Sequence, residues 1–140
     1  MDGATSQFIE DCGLLMADAG LPRSTGRVLG LLLICDPAHQ SAVSIREALQ
    51  LSTGSVSAAV AMLRKMSLVI TRTFPGDRRL YYQIESEYEQ KILDIRISQV
   101  QRGMRLAEAG LQLRPGDSRL LNLRHLYGEF EQLMRRITPR

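Results

Sequence analysis

The residues best suited to chemistry on a charged partner lie in two short stretches. Leu51-Ser52-Thr53-Gly54-Ser55-Val56-Ser57 carries the hydroxyls of Ser52, Thr53, Ser55 and Ser57, with Ala58, Arg64 and Lys65 following on the same segment. Pro75-Gly76-Asp77-Arg78-Arg79 sets two guanidinium groups on a turn, with Arg72 just upstream. Hydroxyls and small side chains let a backbone approach phosphate closely, while guanidinium binds phosphate or guanine through two parallel hydrogen bonds. Other chemistry finds no residues to carry it. His39 and His125 have no Cys, His or acidic partner at metal-ligand spacing and read as helix-end or surface histidines. Cys12 and Cys35 match neither a metal spacing nor a disulfide-rich scaffold. With no Ser-His-Asp set, nucleophile elbow or phosphate-cradling loop, the expectation is a non-enzyme with no catalytic residues, no cofactor and no metal.

Charge is unevenly placed along the 140 residues. Residues 20–84 hold eight Lys and Arg against three acids, and the remainder holds ten against twelve, so the middle of the chain is the part suited to a polyanion. A chain of 15.7 kDa leaves little room for a separate catalytic domain. Aromatic residues make up 5% and Trp is absent, which argues against stacking platforms for single strands or carbohydrate. The longest apolar run, residues 28–35, is too short for a membrane span, and no charged segment leading into an apolar one opens the chain. No membrane association and a cytoplasmic location are expected.

Hydrophobic spacing supplies the elements that must position these groups. Phe8, Cys12, Leu15 and Ala19 form an apolar stripe over residues 7–19, predicting an amphipathic helix. Gly20-Leu21-Pro22 ends it, and a second helix runs over 23–34, its centre apolar on all sides and Gly26 and Gly30 open to a close neighbour. Asp36-Pro37 closes that helix, and residues 41–50 fit a short third one. After the polar turn at Leu51-Ser52-Thr53-Gly54, residues 55–66 place Val56, Val60 and Leu63 on one face and Ser57, Ala58, Ala61, Arg64 and Lys65 elsewhere. Two short helices joined this tightly make a helix-turn-helix. Residues 68–74 and 80–84 read as strands around the Pro75-Gly76-Asp77-Arg78 turn, a hairpin wing. From residue 86, Leu93, Ile97, Val100, Met104, Ala107 and Leu111 form a heptad seam. After Arg114-Pro115-Gly116-Asp117, a final helix repeats the spacing with Leu120, Leu123, Tyr127, Phe130, Met134 and Ile137. The two Pro-Gly-Asp segments read as two turns and not as an internal repeat.

Residues 20–84 resemble the MarR-type winged-helix transcriptional regulators, most closely their GbsR-like branch. The resemblance rests on Gly20-Leu21-Pro22-Arg23-Ser24-Thr25-Gly26-Arg27-Val28-Leu29-Gly30-Leu31-Leu32-Leu33, on the Leu51 to Ser57 stretch, and on Pro75-Gly76-Asp77-Arg78-Arg79-Leu80-Tyr81-Tyr82. It implies a homodimer on pseudo-palindromic double-stranded DNA, the second helix of the helix-turn-helix in the major groove and the wing at the minor groove. It also implies DNA contacts from Ser52, Thr53, Ser55, Ser57 and Arg78, and a wing shaped by Asp77 with Arg79. Three positions depart from the pattern: Thr53 stands where the branch often has Arg, Ser67 where Gly is usual, and Leu80 where an acid is usual.

The expected fold is therefore mainly α with a small β-wing, a winged helix-turn-helix flanked by N- and C-terminal dimerisation helices. A single domain spans 1–140, its DNA-binding module covers 20–85, and the dimerisation helices cover 6–19 and 86–138. Expected DNA-contacting residues are Ser52, Thr53, Ser55, Ser57, Ala58, Arg64, Lys65, Arg72, Arg78 and Arg79. The function expected is a DNA-binding regulator, a repressor, responding to a small apolar effector in a cleft lined by residues such as Leu15, Leu32 and Met104. The rival reading is a winged-helix protein-interaction adaptor without sequence-specific DNA binding.

Overall fold

Asp2 opens the first helix, its carboxylate accepting a hydrogen bond from the Thr5 N–H at 2.7 Å, and α1 runs over Gly3–Asp18. A computed structural model describes residues 1–137; Thr138, placed above in the last dimerisation helix, lies outside the described residues. Gly20 ends the α1 turn at a φ of +84°, the left-handed conformation expected from its place before Leu21-Pro22. Helix α2 then covers Arg23–Ile34.

Three glycines bring α1 and α2 together. A Cβ built on Gly26 would fall 2.3 Å from the Cys12 carbonyl oxygen and 2.7 Å from Gly13 Cα, so the two backbones touch where side chains would hold them apart. This contact corrects the first stripe. The residues turned toward α2 are Ile9, Cys12, Gly13 and Met16, so Cys12 keeps its predicted place, whereas Phe8, Leu15 and Ala19 are exposed, Leu15 by 71%. An apolar run over residues 28–34 predicts burial throughout, and the end of α2 departs from it: Leu33 and Ile34 are exposed, while Val28, Leu31 and Leu32 are core. Leu32, being closed in the core, is not free to line an effector cleft.

Ser41 caps α3, Ala42–Leu49, by accepting from the Ser44 N–H at 3.1 Å, and Gln50 closes it in the left-handed region at φ 53°. Ser52 caps α4, Thr53–Lys65, two residues earlier than periodicity alone suggested. Strands β2, Val69–Arg72, and β3, Tyr81–Ile84, pair antiparallel with Val69 opposite Ile84 and Arg72 opposite Tyr81. A third strand that the sequence reading missed, β1 at Gln40–Ser41, pairs with the far edge of β3, giving the order β1-β3-β2. Ile9, Val28, Ile45, Val56, Leu63 and Leu68 close the core among α1, α2, α3, α4 and this sheet. Helix-turn-helix, wing and sheet together make the fold a winged helix.

Ser67, just past α4, holds a φ of 62° on an exposed, non-glycine residue. That conformation costs an L-residue about 1–2 kcal/mol, and the extra unfolded-state freedom of glycine returns about 0.5–1 kcal/mol of it. Ser67→Gly should therefore raise stability by roughly 0.5–1 kcal/mol, read as a higher midpoint in urea unfolding; a lower midpoint would show that the serine side chain contributes something here.

The chain divides into two compact units, Met1–Tyr88 and the residues from Glu89 onward. In the second unit α5, Tyr88–Leu113, and α6, Ser118–Ile137, form a helical hairpin. Its turn repeats the wing's: Gly116 has a φ of +76°, and the Asp117 carboxylate accepts from the Arg119 backbone N–H at 2.9 Å and from its guanidinium. Tyr127 lies on Gly103, where a Cβ would sit 2.3 Å from the ring, and Leu120 lies on Gly110. The predicted seam is thus the inner face of this hairpin, with Val100, Gly103 and Ala107 buried in it. Its spacing is accounted for inside one chain. What α5 and α6 leave exposed includes Leu106, Leu113, Leu126 and Leu133, outside the predicted stripes, together with Phe130 and Ile137 from the α6 stripe. Among the described residues no helix is long and apolar enough to cross a membrane.

Candidate nucleic-acid interface

Helix α4 is two-sided. Val56, Ala59, Val60 and Leu63 are buried, and Thr53, Gly54, Ser57, Ala58, Ala61, Arg64 and Lys65 are exposed in a continuous outward strip. The strip carries hydroxyls and small side chains over its first two turns and cations over its last. Ser52 and Ser55 behave differently from Thr53 and Ser57. Ser52 Oγ accepts from the Ser55 N–H at 3.1 Å and donates to Ser55 Oγ at 3.0 Å, so this pair is engaged in capping the helix.

The wing is held by one carboxylate. Pro75 and Gly76, the latter at φ +79°, occupy the centre of a turn closed by the Asp77 N–H donating to the Phe74 carbonyl at 3.1 Å. Asp77 Oδ1 accepts from the Arg79 backbone N–H at 2.9 Å and from Arg79 Nε at 3.2 Å, and Oδ2 accepts from Arg79 Nη2 and the Tyr81 hydroxyl. The Arg79 guanidinium also lies 5.4 Å from the centre of the Tyr81 ring. Arg79 is thereby committed to the wing's own shape. Arg78, next to it, is exposed and has no hydrogen-bond or ion-pair partner among the described residues. Arg72 donates to Gln83 Oε1 at 3.3 Å and covers the Phe74 ring at 5.3 Å, so it keeps its charge but is tethered along the hairpin.

The Arg79 guanidinium, then the Tyr81 hydroxyl and the Arg79 N–H, hold the Asp77 carboxyl well below the usual carboxylate range. The same bond to Asp77 pushes the Tyr81 hydroxyl up. A depressed carboxylate supports the wing above the unfolded-state value near 3.9 and loses that support only as pH falls through its lower folded value; a raised tyrosine supports it below about 10 and loses it as pH climbs through the raised value. The wing should therefore keep one geometry from about pH 5 to about pH 9. NMR signals of Arg79 Nε–H and the Tyr81 ring should stay constant across that range and change with Asp77→Asn. A midpoint near neutrality would contradict the assignment.

His39, read from sequence as a plain surface or helix-end residue, is part of the wing's base. Its ring centre is 4.6 Å from Phe74 and 4.9 Å from Tyr81, which are 5.4 Å apart. It stands just before β1, so the short strand that was missed is also what brings this ring to the hairpin.

The cation count of residues 20–84 is sharpened by pairing. Glu10 accepts from Arg23 Nη2 at 2.9 Å and lies 2.8 Å from Arg27 Nε, an ion pair off the hydrogen-bond axis. Arg27 also donates to the Leu49 carbonyl at 3.1 Å, tying α1 and α2 to the end of α3. With Arg79 paired as well, the charge left for a partner is concentrated on Arg46, Arg64, Lys65, Arg72 and Arg78. Both thiols are half-buried and outside any disulfide, and burial pushes each up, so neither is set up as a reactive thiolate.

No family model matches the chain. Over 78 residues it is 36% identical to the HTH-type transcriptional regulator MmpR5 of Mycobacterium tuberculosis, a stretch that is 56% of this chain and 47% of that relative. The chain thus matches about half the length of this curated relative. A solved transcriptional regulator superposes with a TM-score of 0.77 at 29% identity, covering 96% of this chain and 95% of that one. The transcriptional regulator BldR from Sulfolobus solfataricus is a looser match, with a TM-score of 0.44 at 20% identity over 96% of this chain and 86% of its own.

Proposed function

We propose that this protein is a DNA-binding transcriptional regulator of the MarR type and its GbsR-like branch, acting in the cytoplasm as a homodimeric repressor on a pseudo-palindromic operator. The observation that carries the reading is the outward strip of α4, small and hydroxyl-bearing at its start and ending in Arg64 and Lys65, which have no partner among the described residues, on a fold that also extends Arg78 on a braced wing. A helix with small outward side chains can lie deep in the major groove, where its hydroxyls reach phosphates. An arginine on a turn can enter a narrow, strongly negative minor groove. The names of the curated relative and of the solved structure with the TM-score of 0.77 point the same way.

Dimerisation through residues 6–19 and 86–138 is supported by apolar side chains that a lone chain leaves in water, among them Leu15 and, in the second unit, Leu106 at 68% and Leu113 at 83%. Light scattering should return twice the 15.7 kDa chain mass. A small apolar effector would act by favouring one dimer shape over another, since a ligand shifts an equilibrium only through its difference in affinity for the two states.

The test is titration of duplex DNA at several salt concentrations. A regulator of this kind binds with an affinity that falls steeply as salt rises, because each neutralised phosphate releases counterions. An adaptor that uses the same surface on protein would show no duplex binding of this kind.

A further inference from the structure

Between α3, α4 and β3 lies a cleft of about 350 Å³, with Val43 and Arg46 on one side, Thr53 and Ser57 on the other, and Val56 and Tyr82 at its floor and end. Arg46 lies one helical turn from Val43, and Ser57 one turn from Thr53, so each pair shares a face of its helix. Arg46 is a half-buried residue, yet among the described residues its guanidinium has no ion-pair or hydrogen-bond partner. Nor do the Thr53 and Ser57 hydroxyls have one, in contrast to the capping pair Ser52 and Ser55. A cation held beside apolar walls without a partner is incompletely solvated and attracts an anion more strongly than one in open water.

We infer that this cleft seats a backbone phosphate of the bound duplex, with Arg46 as its principal ligand and Thr53 and Ser57 as hydroxyl donors. The inference rests on the DNA-binding reading and adds to it a residue outside the recognition helix and the wing. The donor set is that of a phosphate site: a forked guanidinium and two hydroxyls, with no carboxylate among the lining residues. A phosphate fits better than a base edge because the first helix of a helix-turn-helix crosses the DNA backbone while the second enters the groove. Arg46 belongs to that first helix. Its role is to fix register and depth, and its loss should be felt on every sequence alike.

The experiment compares wild type, Arg46→Ala and Arg46→Lys by fluorescence anisotropy, on a random-sequence duplex and on a duplex selected by the wild-type protein, between about 50 and 200 mM salt. Arg46→Ala should lower the slope of log affinity against log salt by about 0.9, so that over a fourfold rise in salt it loses about 3.5-fold less affinity than wild type. It should weaken both duplexes by the same factor. Arg46→Lys keeps the charge and should keep the slope. Arg46→Gln carries the same comparison if the alanine variant melts early. Wild-type slope and affinity in Arg46→Ala, or a loss confined to one base position, overturns the phosphate seat and leaves the DNA reading standing. Failure of the wild type itself to bind any duplex overturns the reading, and the seat falls with it.

Discussion

Ser57→Glu should abolish duplex binding while leaving the fold intact. Ser57 is exposed at the middle of the outward strip of α4, between Thr53 and Ala61, while Val56 and Val60 are buried. In the proposed docking a carboxylate there would meet the DNA backbone, and juxtaposed like charges cost several kcal/mol. Affinity should fall by roughly 100-fold or more, since each 1.4 kcal/mol is a factor of ten. Stability should change by about 0.5 kcal/mol or less, as for other surface substitutions. Anisotropy with labelled duplex and a urea melt of the same preparation check the two halves. Retained binding in a folded variant would remove α4 from the interface.

The second large effect concerns the crossing of α1 and α2. In an exposed helix position, replacing glycine by alanine stabilises by about 0.8–1.0 kcal/mol. At Gly26 the sign should reverse. The new methyl would meet the Cys12 carbonyl oxygen, its carbon and Gly13 Cα, all backbone, so the helices themselves would have to separate. Overpacking of that kind typically costs about 1–3 kcal/mol and occasionally more. Gly54→Ala is the control, because a Cβ there meets only Ser52 Oγ at 4.0 Å. Urea melts should place Gly26→Ala below wild type and Gly54→Ala at or above it. A stabilised Gly26→Ala would mean that the crossing is not held by backbone contact.

What could be read in advance follows from the range of the forces involved. Helix α2, its close-approach glycines and the two faces of α4 were legible because each rests on local spacing or on a residue type with one conformational use. The same holds for the wing turn, where Pro75, Gly76 and Asp77 each fit a single place, and for its repetition at Pro115-Gly116-Asp117 with Arg119 in the place of Arg79. The face of α1 was misread because the contact that buries it is made by glycine. Gly13 adds nothing to an apolar stripe, so the pattern of Phe8 and Leu15 dominated although the packing surface is Ile9, Cys12, Gly13 and Met16. Strand β1 has two residues, too few for any period, and exists because Tyr81 and Tyr82 offer an unpaired edge. His39 joins Phe74 and Tyr81 only through that pairing. Arg46 was passed over because contacts were sought only on the second helix of the helix-turn-helix and on the wing, and only the cleft it shares with Thr53 and Ser57 sets it apart. The seam of α5 was seen in full, but a spacing of three and four describes a helix meeting any helix, and here its partner α6 comes from the same chain.

The central claim is that this winged helix recognises duplex DNA by sequence. Selection of the purified protein against a random-sequence duplex library, with the retained molecules sequenced, tests it most directly. The account predicts an enriched inverted repeat whose half-site centres lie about one helical turn, roughly 34 Å, apart. A retained pool with no enriched motif, or one enriched equally for direct repeats, would contradict it.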